Sequence, residues 1–276
     1  MNDKRSARVV VVTSGKGGVG KTTSTAALGA ALAQRGDKVV VIDFDVGLRN
    51  LDLVLGAERR VVFDLINVIH GVAKLPQALI RDKRLENLYL LPASQTRDKD
   101  ALTEEGVASV ISELREKFDW VICDSPAGIE RGATLAMRFA DEAIIVANPE
   151  ISSVRDSSRM VGLVDSKPLK VETGGRLEKH LLITRFDPER VARGEMLSVK
   201  DVTEILPIPL LGIIPESEEV LRASNLGAPI TVCGRESAVS RAYFDAARRI
   251  KGDWVKMTIP SDNKSLLTKL LGRRAA

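Results

Sequence analysis

Runs of consecutive apolar residues recur along the chain and alternate with stretches in which apolar residues follow a helical spacing. The apolar runs occupy residues 9–12, 39–42, 88–91, 120–123, 142–147, 181–184 and 209–214. Parallel strands that are buried on both faces have this unbroken pattern. Helices are predicted from residue 22 or 23 onward, at residues 62–72, 75–80, 103–114, 199–206 and 239–250, and after Pro149 with Ser152 and Ser153 as caps. We therefore expect an α/β fold, a single domain with a mostly parallel, twisted sheet and helices on both faces, with surface loops at residues 92–99 and 165–178.

Glycine and lysine dominate the turn between the first predicted strand and the first predicted helix. Residues 15–22 read GKGGVGKT and fit the pattern G-x-x-x-x-G-K-[ST]. In such a loop, glycines let successive backbone N–H groups face a polyphosphate, while a lysine supplies charge and a threonine a magnesium ligand. The helix that follows directs the positive end of its dipole at the same phosphates, which argues against a plain glycine-rich turn. The predicted phosphate-binding residues are Gly15, Lys16, Gly17, Gly18, Val19, Gly20, Lys21, Thr22 and Thr23.

Carboxylates follow two of the predicted strands at their carboxyl ends. Asp43 and Asp45 end the second strand, and Asp124 ends the strand at residues 120–123. In open α/β sheets this edge faces the crevice where ligands bind. Carboxylates beside a triphosphate would repel it unless a cation or a positioned water lay between them, so the pattern predicts hydrolysis and a Mg²⁺ site, with Thr22 and Asp124 as candidate ligands. Helix capping is the alternative role, and it accounts for only one of the first two aspartates.

Composition narrows the class of protein. The 276 residues are 44% hydrophobic and 28% charged with a formal net charge of +4, which is typical of a globular protein with a weak bias towards anionic surfaces. The two cysteines, Cys123 and Cys233, cannot form a disulfide framework, so a reducing cytoplasm is expected. Because Cys123 lies inside a predicted buried strand, we interpret it as a small core residue and not as a nucleophile. His70 and His180 are too few and too far from other ligand types in the sequence to predict a metal cluster. No apolar run approaches the length of a membrane span, so we expect any membrane contact to be peripheral.

The end of the chain is basic and rich in leucine. On a helix, four of its leucines would fall within an arc of about 140°, at roughly 100° per residue. They are Leu266, Leu267, Leu270 and Leu271, and the flanking basic residues include Lys264, Lys269 and Arg273. This arrangement indicates an interfacial anchor with basic residues towards anionic phospholipids, weak alone but stronger by roughly 10²–10⁴ when two act on one dimer. We therefore assign residues 1–259 to a domain built around the phosphate-binding loop and 260–276 to a linker and membrane-targeting helix; a frayed terminus, or a helix docked on its own domain, is the alternative.

The second lysine of the phosphate loop, Lys16, points to one family. GKGGVGKT resembles the deviant Walker A motif of the MinD/ParA group of ATPases, and residues 43–52 (DFDVGLRNLD) and 123–128 (CDSPAG) resemble its switch I and switch II regions. The resemblance implies ATP as cofactor and a Lys16 that crosses to the nucleotide of a second subunit, as an arginine finger supplied in trans does. It further implies that Asp45 places the attacking water, that Asp43 supports the magnesium shell, and that Arg185 and Pro215 lie near the nucleoside.

The same resemblance implies partners and a location. The ATP-bound homodimer would lie on the inner face of the cytoplasmic membrane and take part in division-site placement, recruiting the division inhibitor MinC, with hydrolysis stimulated by MinE. Partners would bind the exposed side of the helix that carries Asp156 and Arg159, although Ser158 stands where the family often has a second acid. We expect no specific binding of nucleic acid.

Three other classes of protein remain as alternatives. A ParA-type DNA-segregation ATPase would bind nucleic acid through surface lysines and arginines instead of lipid through leucines. An iron–sulfur carrier of the same fold needs paired cysteines, and the cysteine inventory speaks against it. A non-hydrolysing scaffold is the third.

Overall fold

One sheet of eight strands runs through the computed structural model, which describes residues 6–95 and 101–260. Across the sheet the order is β3-β4-β2-β5-β1-β6-β7-β8, and all neighbouring pairs are parallel except β3 and β4. This confirms the predicted mostly parallel α/β sheet. The strands are β1 (Arg8–Thr13), β2 (Val39–Asp43), β3 (Ile80–Arg81), β4 (Leu88–Leu91), β5 (Trp120–Asp124), β6 (Glu142–Ala147), β7 (Glu178–Phe186) and β8 (Leu210–Pro215).

Helices connect the strands and cover both faces of the sheet. Within the described ranges they are α1 (Lys21–Gln34), α2 (Leu51–Val54), α3 (Leu65–Ile69), α4 (Leu75–Ala78), α5 (Glu104–Arg115), α6 (Arg131–Arg138), α7 (Ile151–Val164), α8 (Leu169–Glu172), α9 (Pro188–Ala192), α10 (Val199–Ile205), α11 (Glu218–Asn225), α12 (Ile230–Cys233) and α13 (Ala238–Ile250). A short 3₁₀ helix, Glu58–Arg60, follows α2. In this part of the chain, no helix has the length and apolar character needed to cross a membrane.

The central strand β1 shows why the apolar runs are unbroken. Val10 and Val12 belong to a core shared with α1 and α13, whereas Val9 and Val11 belong to a second core shared with α5, α6 and α7. Successive side chains of a strand point to opposite faces of a sheet, so each valine is buried on its own side. A third, smaller core lies between α10 and strands β7 and β8.

Several boundaries differ from the expectations. The helix predicted at residues 62–72 is confined to α3, because Asp64 accepts a hydrogen bond from the backbone N–H of Asn67 at 2.9 Å and caps the helix there. The helix predicted at residues 75–80 ends at Ala78, and Ile80 instead pairs with Leu90 in the antiparallel pair β3–β4. The loop expected at residues 165–178 contains the single turn of α8.

The start of α7 corrects a further expectation. Glu150 occupies the N-cap position, so Ser152 and Ser153 lie inside the helix instead of capping it. Ser153 Oγ accepts a hydrogen bond from the backbone N–H of Asn148 at 3.0 Å. Helices α2, α6, α9, α11 and α12 were not predicted, because segments of four to eight residues are too short to show a clear helical period.

The order of the strands positions the functional groups. The connection from β1 leads to β2 on one side of it, whereas the connection from β5 crosses to β6 on the other side, so the direction of the connections changes at β1. Ligands bind at such a switch point in open α/β sheets. The register pairs Asp43 of β2 with Asp124 of β5, next to the end of β1. The phosphate loop and both carboxylates therefore meet at one edge of the sheet.

Candidate nucleotide-binding site

The loop between β1 and α1 has the backbone of an anion-binding loop. Gly18 and Gly20 have φ angles of 75° and 96°, in the left-handed region that glycine adopts at little cost. Gly20 caps α1, which begins at Lys21, one residue before the predicted start. The Lys21 side chain is buried, and its Nζ donates a hydrogen bond to Ser14 Oγ at 2.9 Å. Burial lowers the pKa of Lys21, and the negative charges of Asp124 and Asp45 oppose that shift.

Gly15 has a different role from the other loop glycines. A Cβ atom at this position would lie 2.3 Å from the backbone C and O atoms of Asp156 in α7, closer than any real contact. The glycine is therefore required because the phosphate loop packs directly against the backbone of α7. The sequence pattern places a glycine here, but it does not reveal this contact.

The side chain of Lys16 lies on the outer surface of the phosphate loop. Its Nζ is 3.2 Å from Ser152 Oγ and 3.5 Å from Glu150 Oε2, both at the amino end of α7. The side chain is 44% exposed, in contrast to the buried Lys21. The two lysines of the motif thus occupy distinct positions, one inside the loop and one on its outer surface.

Two buried aspartates face each other across strands β2 and β5. Burial, followed by the charge of Asp124, raises the pKa of Asp43 to about 8. Burial likewise raises the pKa of Asp124 to about 7, although hydrogen bonds from Thr22 and Thr25 and the charge of Lys21 act in the opposite direction. Both shifts arise first from burial, so the two neighbouring carboxylates, when ionised, have little water to offset their negative charge and need further positive charge nearby. A divalent cation with oxygen ligands would supply it, so Thr22, Asp43 and Asp124 fit a Mg²⁺ site.

Asp43 also organises the loop that follows β2. Its Oδ1 accepts a hydrogen bond from the backbone N–H of Asp45 at 2.8 Å, and its Oδ2 accepts one from the N–H of Leu51 at 3.1 Å. Because Leu51 is the first residue of α2, the helix-capping alternative describes part of the role of Asp43. Asp45 is half-buried on the same loop and close enough to Lys21 for its charge to act on that lysine.

A cleft of about 1250 Å³ extends from the phosphate loop along the carboxyl ends of β7 and β8. Val19, Gly20 and Thr23 line one part of it, and Arg185 and Pro215 line another, so the structure brings the predicted nucleoside residues to the same cleft as the phosphate loop. Arg185 has a left-handed backbone with φ 54°, an uncommon conformation for a residue other than glycine.

Thr184 was missed by the sequence reasoning. Its Oγ1 lies 2.7 Å from the carbonyl oxygen of Val19 and 2.9 Å from Asn148 Oδ1, and it is buried. It therefore joins the phosphate loop to β6 and β7. Its only signal in the sequence is its place at the end of an apolar run, beside Arg185. Ser14, which receives the Lys21 hydrogen bond, was missed in the same way.

Comparisons with known proteins identify a nucleotide-binding family. A family model, the CobQ/CobB/MinD/ParA nucleotide binding domain, matches residues 10–230. The chain is 60% identical over 270 residues to the septum site-determining protein MinD of Neisseria meningitidis, covering 96% of this chain and 99% of the relative. It is similar to a chain of the MinC:MinD cell division protein complex of Aquifex aeolicus, with 41% identity, a TM-score of 0.83, and coverage of 93% of this chain and 100% of that one. It is also similar to MinD complexed with Mg-ADP from Pyrococcus horikoshii, with 31% identity, a TM-score of 0.78, and coverage of 88% and 96%.

This chain belongs to the MinD family.

Membership of the MinD family decides the broad function. The protein is an ATPase of division-site placement, with ATP and Mg²⁺ as its cofactors. The DNA-segregation alternative is not favoured by these relatives.

The predicted partner residues of this MinD-family chain lie beside the phosphate loop. Asp156 and Arg159 are both on α7, with Arg159 Nη1 4.0 Å from Asp156 Oδ1 and the Arg159 side chain 87% exposed. The backbone of Asp156 contacts the loop at Gly15, while its side chain is partly exposed to solvent. The predicted membrane residues, Leu266, Leu267, Leu270, Leu271, Lys264, Lys269 and Arg273, lie outside the described residues.

The cysteines and histidines give one agreement and one correction. Cys123 is fully buried in β5 and burial raises the pKa of its thiol, so the interpretation of Cys123 as a core residue is confirmed. His180 was expected to lie far from other ligand types, but its Nε2 is 3.2 Å from Glu142 Oε2, and Glu178 completes a group whose ligand atoms lie within 4.8 Å of one another. Glu142 also forms an ion pair with Arg8 through its other carboxylate oxygen, Oε1.

Proposed function

We propose that this chain is an ATP-dependent switch: two subunits join around bound ATP, attach to the inner face of the membrane and recruit MinC. The position of Lys16 is the observation that carries the proposal. The side chain is partly exposed at the rim of the phosphate loop, and its contacts with Glu150 and Ser152 are the kind of surface interaction worth about 0–1 kcal/mol. Lys16 can therefore leave its own α7 at little cost and reach the nucleotide of a second subunit.

Within each subunit, different residues would have different roles at the nucleotide. Lys21 and the glycine-rich backbone bind the phosphates, and Thr22, Asp43 and Asp124 would hold Mg²⁺, which neutralises phosphate charge when bound. Asp45 lies on the loop anchored by Asp43 and would orient the attacking water. Arg185 and Pro215 would contact the nucleoside in the cleft.

Dimerisation would convert nucleotide binding into membrane binding. The leucines and basic residues at 264–273 form a weak anchor in one subunit and a strong one when two act together. The resulting dimer would present α7, with Asp156 and Arg159, to MinC and MinE. Similarity to the MinC:MinD complex of Aquifex aeolicus supports MinC as a partner.

Sedimentation with vesicles that contain anionic phospholipid tests the proposal. We expect the intact chain to pellet with ATP and to remain in solution with ADP, and Lys16→Ala to remain in solution with both. Lys200→Ala is the matched control, because Lys200 is an exposed lysine on α10 whose side chain is 83% accessible. Equal pelleting of the intact chain in ATP and ADP would contradict the switch, although the ATPase assignment would remain.

A further inference from the structure

Residues 253–260, the last that the structure describes, form a strap that returns from the end of α13 along β8. One side chain clamps this strap. Arg249 donates hydrogen bonds from Nε to the carbonyl oxygen of Val255 at 3.1 Å and from Nη2 to that of Lys256 at 2.8 Å. Its Nη1 donates to the carbonyl oxygen of Leu211 in β8 at 2.9 Å. The beginning of the strap is thus fixed to both α13 and the edge strand of the sheet.

Beyond the clamp, the strap forms one wall of the nucleotide cleft. Met257, Thr258, Ile259 and Pro260 line the same cleft of about 1250 Å³ as Gly20 of the phosphate loop. Met257 packs against the core cluster that contains Phe186 and Ile213, while Ile259 is 56% exposed. Ile259 can therefore make an apolar contact with the non-phosphate part of a ligand whose phosphates bind the loop.

Few contacts hold this part of the strap in place. No hydrogen bond joins Met257, Thr258 or Ile259 to the residues that the structure describes. Their position depends on the Arg249 clamp and on the packing of Met257. A ligand that packs against them would add contacts to a weakly held segment, and binding of the ligand and ordering of the strap would stabilise each other by the same amount.

We propose that Met257 and Ile259 form a wall of the nucleoside subsite and pack against the base or ribose of the nucleotide whose phosphates lie on the phosphate loop. This inference rests on the proposed nucleotide site. It adds the strap to the predicted nucleoside contacts from Arg185 and Pro215, which line the cleft from β7 and β8. It also links nucleotide occupancy to the segment of the chain that leads to residues 261–276.

Calorimetric titration of full-length variants tests the proposed wall with two probes. ADP carries base, ribose and phosphates, whereas inorganic tripolyphosphate carries phosphates alone. We expect Ile259→Ser to weaken ADP binding by about threefold to tenfold, because an apolar contact is lost, and to leave tripolyphosphate binding unchanged. Trp254→Ser is the matched control, since Trp254 lies on the same strap but outside the cleft and is 87% exposed. It should bind both probes as the parent chain does.

Hydrogen exchange supplies a second measurement that does not depend on a substitution. The amides of residues 257–259 should exchange more slowly with ADP bound than without it, and tripolyphosphate should not slow them. If the parent chain binds ADP but Ile259→Ser binds it equally well, or these amides are unaffected, the strap inference is overturned and the nucleotide site stands. If the parent chain binds neither probe, the proposed nucleotide site itself is wrong.

Discussion

At the scale of single residues, Asp43 combines an observed structural role with its proposed role at the magnesium site, at a cost to stability. Its carboxylate is fully buried, anchors the loop through Asp45 and Leu51, and faces Asp124 across the strand pair. Burial and the neighbouring carboxylate both disfavour its ionised form. Without a bound cation, ionisation of this carboxyl therefore destabilises the folded protein.

The substitution Asp43→Asn should reveal this cost through its pH dependence. The pKa of Asp43 is raised from 3.8 in the unfolded chain to about 8 in the folded protein, so the folded state binds the proton more tightly. The parent protein must then lose stability as the pH rises between these values, by up to about 1.4 kcal/mol per pH unit, whereas asparagine does not titrate. In EDTA and without nucleotide, the free energy of unfolding of Asp43→Asn relative to the parent should increase from pH 5 to pH 8.

Denaturant titrations at pH 5, 6, 7 and 8 measure that difference. Asp201→Asn is a suitable control, because hydrogen bonds from Ser198 lower the pKa of this exposed aspartate and confine its contribution to acidic pH. Its stability relative to the parent should stay flat over the same range. A flat difference for Asp43→Asn as well would show that the carboxylate is ionised at no cost in the folded protein.

Gly15 offers a separate test of the contact between the phosphate loop and α7. In Gly15→Ala the new methyl group would meet the backbone of Asp156 at 2.3 Å, so the loop or the helix must move. We expect the free energy of unfolding to fall by about 1–3 kcal/mol, as for other overpacked sites. Gly17→Ala is the matched control, because its nearest neighbour would be the Ala127 Cβ at 4.0 Å, and it should change stability by less than about 0.5 kcal/mol. Equal effects in urea titrations of the two variants would count against the contact.

At the scale of elements, the sequence predicted long, buried segments better than short ones. The apolar runs became β1, β2, β4, β5 and β6 almost residue for residue, because a strand buried on both faces must be apolar throughout. The helix expected over residues 75–80 was wrong at Ile80, which pairs with Leu90 in the sheet. Backbone pairing between two segments cannot be predicted from the residue pattern of one of them. The same limit applies to the site: the motif predicted Lys21 and Thr22, but the contacts of Thr184 and Glu150 depend on elements far away in the chain.

Thr184 connects three of these elements, and its hydroxyl should be needed for nucleotide binding. In Thr184→Val the shape is kept, but the hydroxyl, whose single proton can be donated to the Val19 carbonyl oxygen or to Asn148 Oδ1, is lost; a buried acceptor left without a donor costs about 1–3 kcal/mol. We expect lower stability and weaker ADP binding by titration calorimetry, with recovery in Thr184→Ser. Thr203→Val removes a hydroxyl that bonds the carbonyl of Lys200 at an exposed site and should have little effect on either quantity. Full ADP affinity in Thr184→Val would mean that the phosphate loop keeps its shape without the hydrogen bond from Thr184.

At the scale of the whole molecule, the proposed division of the chain at residue 259 separates two kinds of prediction. The nucleotide domain could be read from motifs because phosphate binding constrains a few residue types at fixed spacing, as in residues 15–22. The proposed anchor rests only on the spacing of leucines and lysines, and the same spacing would suit a helix that docks on its own domain. A test of the anchor must therefore distinguish the face of the helix from its overall composition.

Charge substitutions on opposite faces of the proposed anchor provide that distinction. Leu270→Asp would place a carboxylate within the leucine arc, whereas Thr268→Asp would place the same charge outside it, at roughly 100° per residue. With ATP and anionic vesicles, we expect Leu270→Asp to abolish sedimentation, because a charge replaces an apolar contact in each of the two anchors of a dimer. Thr268→Asp should sediment nearly as the parent does, and both variants should keep the ATP-dependent dimer in analytical ultracentrifugation. If both variants lost vesicle binding equally, electrostatic attraction between the basic residues and the anionic lipid would explain the binding. The leucine face would then make no specific contribution.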